Sequence, residues 1–159
     1  MMKFLFACLA GILALILGLL AYVYLVLVPG LPPLTAVTDY KPKIPLRIYT
    51  ADNTLIGEFG EEHRDFVPIK EIPPTMKNAI LAVEDARFYE HHGVDYIGMV
   101  RAVVSTATGA PQGGGTITMQ VARNFFLTRE RTVTRKLREI LLARRIEDAL
   151  TKDQILELY

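Results

Sequence analysis

The segment FLFACLAGILALILGLLAYVYLVLV, residues 4–28, runs for twenty-five positions without a charge, and no other feature limits the fold as much. As an α-helix it would be about 37 Å long, more than the ~30 Å hydrocarbon core of a bilayer. A cleaved leader has a shorter apolar run of about 7–15 residues, closed by small residues. This run closes on Tyr22, Tyr24 and branched aliphatics. Leu5-Phe6-Ala7-Cys8 loosely mimics a lipoprotein cleavage box, but too few apolar residues precede it. The segment reads as an uncleaved signal anchor. Lys3 and the amino terminus precede it and the next basic residue is Lys41, which puts residues 1–3 in the cytoplasm and the bulk of the chain outside. The one cysteine, Cys8, lies within the span. An exported domain without other cysteines has no disulfide framework, so its core must come from packing.

Lys3 is one of 18 basic residues, so the chain beyond the span carries 17 basic against 17 acidic side chains. That balance selects no partner, but its distribution does. Residues 123–145 hold Arg123, Arg129, Arg131, Arg135, Lys136, Arg138, Arg144 and Arg145 against only Glu130 and Glu139. A domain held outside the cytoplasm has no nucleic acid to meet, so phosphorylated lipid headgroups are the anions that fit.

Pro29-Gly30-Leu31-Pro32-Pro33 ends the anchor, and residues 29–44 read as an extended linker. The stretch LRIYTADNTLIGEF holds two β-rich runs separated by Ala51-Asp52-Asn53, which predicts a hairpin. Everything later is spaced for helices. Pro73-Pro74-Thr75 opens one whose apolar face is Met76, Ala79, Ile80 and Val83. Asp95 is placed to cap a second, carrying Ile97, Val100, Val103 and Val104. Thr116 opens a third through Phe126, and Thr132 or Thr134 a fourth to about Leu150. Thr151 with Gln154 makes a capping box for a fifth. That fifth helix has only begun when the sequence stops, leaving Ile155, Leu156, Leu158 and Tyr159 in need of cover. Residues 45–159 are therefore expected to be a truncated domain that folds poorly alone.

Two carboxylates stand out. Glu84 follows Ile80 by four positions, at the edge of an apolar stripe, where partial burial would raise its pKa toward the range of a general base. A surface glutamate beside Lys77 and Arg87 is the plainer alternative. Glu139 shares a helical face with Leu142, Ala143, Ile146 and Leu150, so it must pair with a cation or shift its pKa. Structural ion pairs account for most such cases. Two separately housed carboxylates are also what acid–base chemistry at a sugar centre requires. The loop GAPQGGGTITMQ has the glycine spacing of a phosphate loop, but Gly115 stands where that motif needs lysine. Such a loop can still bring a substrate close to the backbone. Adjacent His91 and His92 with Glu90 and Asp95 lack a metal-site spacing, so no metal ligand is assigned.

Taken together these stretches resemble the peptidoglycan glycosyltransferases of family 51, and most closely the amino-terminal part of class A penicillin-binding proteins of the 1A type. The family's Glu-Asp-x-x-Phe-x-x-His-x-Gly motif is matched by Glu84, Asp85, Phe88, His91 and Gly93. Its Gly-Gly-Ser-Thr-x-Thr-Gln-Gln motif is matched by Gly113, Gly114, Thr116, Thr118 and Gln120, with Gly115 and Met119 as departures that would remove two substrate hydrogen bonds. Arg135, Lys136 and Glu139 match its Arg-Lys-x-x-Glu motif, and a fourth motif begins at Lys152. The resemblance implies a mainly α, lysozyme-like glycosyltransferase domain over residues 45–159, partly dipping into the membrane, with a small β-hairpin element and one N-terminal transmembrane helix at residues 4–28.

It also implies a reaction: inverting polymerisation of lipid II into glycan strands, with release of undecaprenyl pyrophosphate, for bacterial cell-wall synthesis. Glu84 is implied as the catalytic base and Glu139 as the second catalytic carboxylate. Arg123 and Arg131 are implied to hold the pyrophosphate. Thr116, Gln120 and Lys136 are implied to contact donor or acceptor, and Asp85, Phe88, His91, Gly113, Gly114 and Arg135 complete the substrate-binding set. No cofactor is required by the residues, although a divalent cation, magnesium or manganese, stays open. Implied partners are lipid II, the growing strand, membrane lipid and other cell-wall synthesis proteins. The implied location is the inner membrane, single-pass, with the domain on the periplasmic side. A lytic glycan-cleaving enzyme and a non-catalytic anchored binding module are the rival readings.

Overall fold

The structure, a computed structural model, describes residues 2–41, 45–60, 67–110, 113–128, 130 and 132–159. Helix α1, Met2–Tyr22, passes into one π-helical turn, Val23–Leu27, in which the Val28 N–H bonds the Val23 carbonyl. Pro29 gives the reason: its ring crowds the carbonyl four residues back, and a widened turn relieves that clash before the helix stops. The span long and apolar enough to cross a membrane is Cys8–Leu27, and apart from the buried Leu27 its leucines and isoleucines point outward. That is the arrangement expected when lipid is the solvent.

The segment after the anchor is not extended as the sequence suggested. Thr35–Thr38 forms a short helix α2, Val37 is buried in the core, and Leu31 and Leu34 pack against it. Three apolar residues among the prolines give this stretch a face to bury, and burial outweighs the preference of proline-rich chain for extension. Strands β1, Leu46–Tyr49, and β2, Leu55–Phe59, form the antiparallel hairpin foreseen, with Leu46 opposite Phe59 and Arg47 opposite Glu58. Asn53 takes φ 64° at the turn, a conformation asparagine tolerates.

The helical body comprises α3 (Pro74–Glu84), α4 (Tyr96–Ala107), α5 (Ile117–Phe126), α6 (Val133–Ala149) and α7 (Lys152–Leu158). Four starts are set by side chains read from the sequence. Asp95 accepts from Gly98 N, Thr116 from Met119 N, Thr132 from Arg135 N and Thr151 from Gln154 N. Each removes one of the orphan donors that a helix start exposes.

Ile117, Val121 and Ala122 of α5 meet Leu142 and Ile146 of α6 and Ile155 and Leu156 of α7, with Phe88, Ile69 and Val37 closing the core. The apolar face of α7 is thus covered, contrary to expectation: Ile155 is fully buried and Leu158 packs on the core. The face predicted for α3 is also rotated. Ile80 and Leu81 pack inward, whereas Met76 and Val83 are exposed. On α4 the apolar residues Ile97, Val100, Val103 and Val104 all face out, and Ala102 and Gly98 face in. Gly93 is needed where it stands. At φ 79° a Cβ would lie 2.9 Å from the Ala143 backbone, so the loop between α3 and α4 rests directly on α6.

Candidate active site

Glu84 is the last residue of α3, and Gln120 lies one turn into α5. The Gln120 Nε2 donates to Glu84 Oε2 at 2.8 Å. The Glu84 side chain is exposed, so the burial anticipated from its place beside Ile80 is absent; rotation of α3 turns it outward. It stands instead on the wall of a cleft of about 260 Å³, whose other walls are Arg87, Arg101 and the Gly113, Gly114 and Gly115 backbone.

Beneath this cleft four motif residues brace one another. Asp85 is buried, taking the Ile117 N–H at 3.1 Å and the His91 Nε2 at 2.9 Å. Thr116 donates to the Gly93 carbonyl at 2.7 Å. Phe88 is 1% exposed and belongs to the core. Asp85 and Thr116 line the cleft, whereas Phe88 and His91 face inward and do not line it. Met119 is likewise 1% exposed, so the departure there changes core packing and not the cleft. Gly115 does face the site. A Cβ there would lie 3.7 Å from Lys136 Nζ, an ordinary contact, so a serine would fit beside that ammonium.

The second carboxylate is enclosed by cations. Glu139 is 2% exposed, bonded through Oε1 to Arg135 and 3.1 Å from Lys136 Nζ through Oε2. Desolvation pushes the Lys136 ammonium below its ordinary pKa, and the charges of Arg135 and Arg123 push the same way. Arg123 forms no ion pair among the described residues, which leaves its charge to something else. Arg131 lies outside the described residues. Tyr159 stands within electrostatic reach of Glu84 and Arg123. Burial raises its hydroxyl pKa, the Glu84 charge adds to this and Arg123 opposes it. A second cavity of about 490 Å³ adjoins the cleft across Gly114. Met99, Ala102, Val103 and Thr106 of α4 line it, and Lys136 stands at its edge.

Sequence reasoning singled out neither Tyr159 nor Glu147 as a site residue. Glu147 is a buried carboxylate on α6 that accepts from Thr118 and Lys152. Its one legible signal was Lys152 five residues on, across a turn. Among the described residues no group of three His, Cys, Asp or Glu could hold a metal ion.

The helical domain thus sets an exposed carboxylate over a glycine-walled cleft and a buried carboxylate among cations. Residues 52–159 match the Transglycosylase family, and the chain belongs to it. It is similar to penicillin-binding protein 1A of Neisseria cinerea, 51% identical over 144 residues, which is 89% of this chain and 18% of that protein. It is also similar to penicillin-binding protein 1A of Escherichia coli K12, 53% identical over 133 residues, 82% of this chain and 16% of that protein. The chain therefore spans about a fifth of the length of these relatives.

Proposed function

We propose that this chain is part of a membrane-anchored peptidoglycan glycosyltransferase that extends a glycan strand from lipid II and releases undecaprenyl pyrophosphate. The observation that carries the reading is Glu84 on the cleft wall, held by Gln120, with Arg123 and Lys136 as the nearby cations. In the step, Glu84 takes the proton of the acceptor sugar's 4-hydroxyl as that oxygen attacks the donor's anomeric carbon. The bond from that carbon to the pyrophosphate oxygen breaks with inversion, and the electron pair leaves on the pyrophosphate. Arg123 and Lys136 receive the developing charge, a role proposed for Arg131 as well; charge-assisted contacts suit this task. The apolar cavity along α4, ending at Lys136, fits the first units of a lipid chain whose pyrophosphate lies at that ammonium. Glu139 holds Arg135 and Lys136 in place from below.

The anchor places the domain at the surface where a lipid-linked substrate is found, and the periplasmic side is proposed from the charge bias around Lys3. A lytic enzyme needs a general acid and water but no pyrophosphate clamp, and a binding module needs no base. The test uses the full-length protein in lipid nanodiscs with radiolabelled lipid II. Polymer with release of undecaprenyl pyrophosphate is expected. Cleavage of added glycan without polymer, or binding without turnover, would replace this reading by one of those rivals.

A further inference from the structure

Glu147 lies outside the cleft, with its side chain 3% exposed. Its Oε1 accepts from two donors, Thr118 Oγ1 at 2.6 Å and Lys152 Nζ at 2.7 Å. Its Oε2 is 3.9 Å from His92 Nδ1, beyond direct hydrogen-bond range. Lys152 also places its ammonium 4.4 Å from the Phe88 ring centroid. One carboxylate therefore ties α5, α6 and α7 together. A buried ion pair is weak evidence for stability by itself, because apolar replacements often match it. What sets this one apart is the position of Thr118.

The first residues of α5 are each held from outside the helix. Thr116 donates to the Gly93 carbonyl, the Ile117 N–H donates to Asp85, and Thr118 donates to Glu147. Two positions further on, Gln120 donates to Glu84. Residues two apart lie about 200° around a helix from each other. Thr118 thus faces the core and Gln120 faces the cleft, and any roll of α5 about its axis moves both. We infer that Glu147 and Thr118 are positioning residues for the cleft: their bond fixes the roll of α5 and, through it, the contact between Gln120 and Glu84. The hydroxyl–carboxylate bond is buried and charge-assisted, so it resists that roll more strongly than the exposed Gln120 contact does.

The inference rests on the proposed glycosyl transfer for its activity readout only. The test uses Thr118→Val, which keeps shape but loses the donor, and Thr118→Ser, which restores it, in the full-length protein. The first readout is the side-chain amide resonance of Gln120 and needs no substrate. Thr118→Val should shift it toward the position of a free amide, and Thr118→Ser should return it. Glu147→Gln, which keeps an acceptor and opens no cavity, should shift it the same way by less.

The second readout is lipid II turnover. Thr118→Val should lower kcat by about 10–100-fold with little change in KM, the scale of a small misplacement. In a Gln120→Ala background it should cost almost nothing more, since sites acting through one contact do not add. An unmoved Gln120 resonance in both Thr118→Val and Glu147→Gln, or losses that multiply with Gln120→Ala, would overturn the inference. Absence of lipid II turnover by the unmodified protein, with the resonance still following Thr118, would instead remove the glycosyl-transfer reading and leave the positioning role standing.

Discussion

Glu84→Gln keeps the size of the side chain and one acceptor oxygen but removes the proton sink. Loss of a general base costs about 10²–10⁴-fold, so polymerisation by the full-length protein should collapse while lipid II binding stays. A near-normal rate would move the base elsewhere, with Glu139 as first candidate. Glu139→Gln should act differently. It leaves Arg135 facing a neutral partner beside a buried site, and breaking such a pair costs about 3–5 kcal/mol, so a lower thermal midpoint and weaker substrate binding should appear together. Lys136 gives a pH signature. Its folded pKa lies below the ordinary 10.5, because desolvation disfavours the charge. The unfolded chain holds that proton more tightly, so this group adds stability as pH rises from the lowered value to 10.5 and contributes no slope below it. Binding of a lipid-pyrophosphate mimic should run the opposite way, weakening over the same interval as the ammonium is lost. Lys136→Arg should flatten that loss; parallel titrations of the two proteins would exclude Lys136 from the anion site. Glu84 was legible as a residue, but its exposure was not, because the roll of α3 depends on Ile72, Ile80 and Leu81 packing against the distant core. Glu147 was hidden for a similar reason: its partner Thr118 is 29 residues away in sequence.

At the scale of elements, local signals carried furthest where the physics is local. Asp95, Thr116 and Thr151 cap the helices they were read to open, and of the pair Thr132 and Thr134 it is Thr132 that caps α6. The residues between β1 and β2 turn as read, since Thr50 and Asn53 close that turn by themselves. Orientation is not local, which is why the face of α3 and the cover over α7 were misread. The α7 packing bears on stability. With Ile155 and Leu156 buried against α5 and α6, and Ile69 N–H donating to Glu157 at 3.1 Å, this helix is part of the core. Ile155→Ala should therefore cost about 2–5 kcal/mol, as for a fully buried aliphatic. Denaturant unfolding of the anchored protein in detergent measures it. A change under about 0.5 kcal/mol would mean that α7 is frayed in solution.

The whole molecule pairs two apolar surfaces of different kinds. The anchor was legible because its length exceeds anything a domain of this size would bury. The outward face of α4 was not, because the same 3.6-residue spacing describes a helix that faces a core and one that faces lipid. Tyr96, Ile97, Val100, Val103 and Val104 are each more than half exposed, an apolar patch that soluble domains rarely leave in water. The patch borders the cavity that ends at Lys136, and Val103 belongs to both. A lipid substrate entering there would pass from bilayer to cavity without crossing water. The α4 face should therefore sit in the acyl region. A cysteine placed at Val103 in a Cys8→Ser background, carrying an environment-sensitive dye, should be blue-shifted in nanodiscs and quenched by spin labels on the acyl chains. The same dye at Tyr89, exposed before α4, serves as the control and should report water. If the label at Val103 is as wet as the control, the α4 face meets something other than lipid, and the entry route to Lys136 must lie elsewhere.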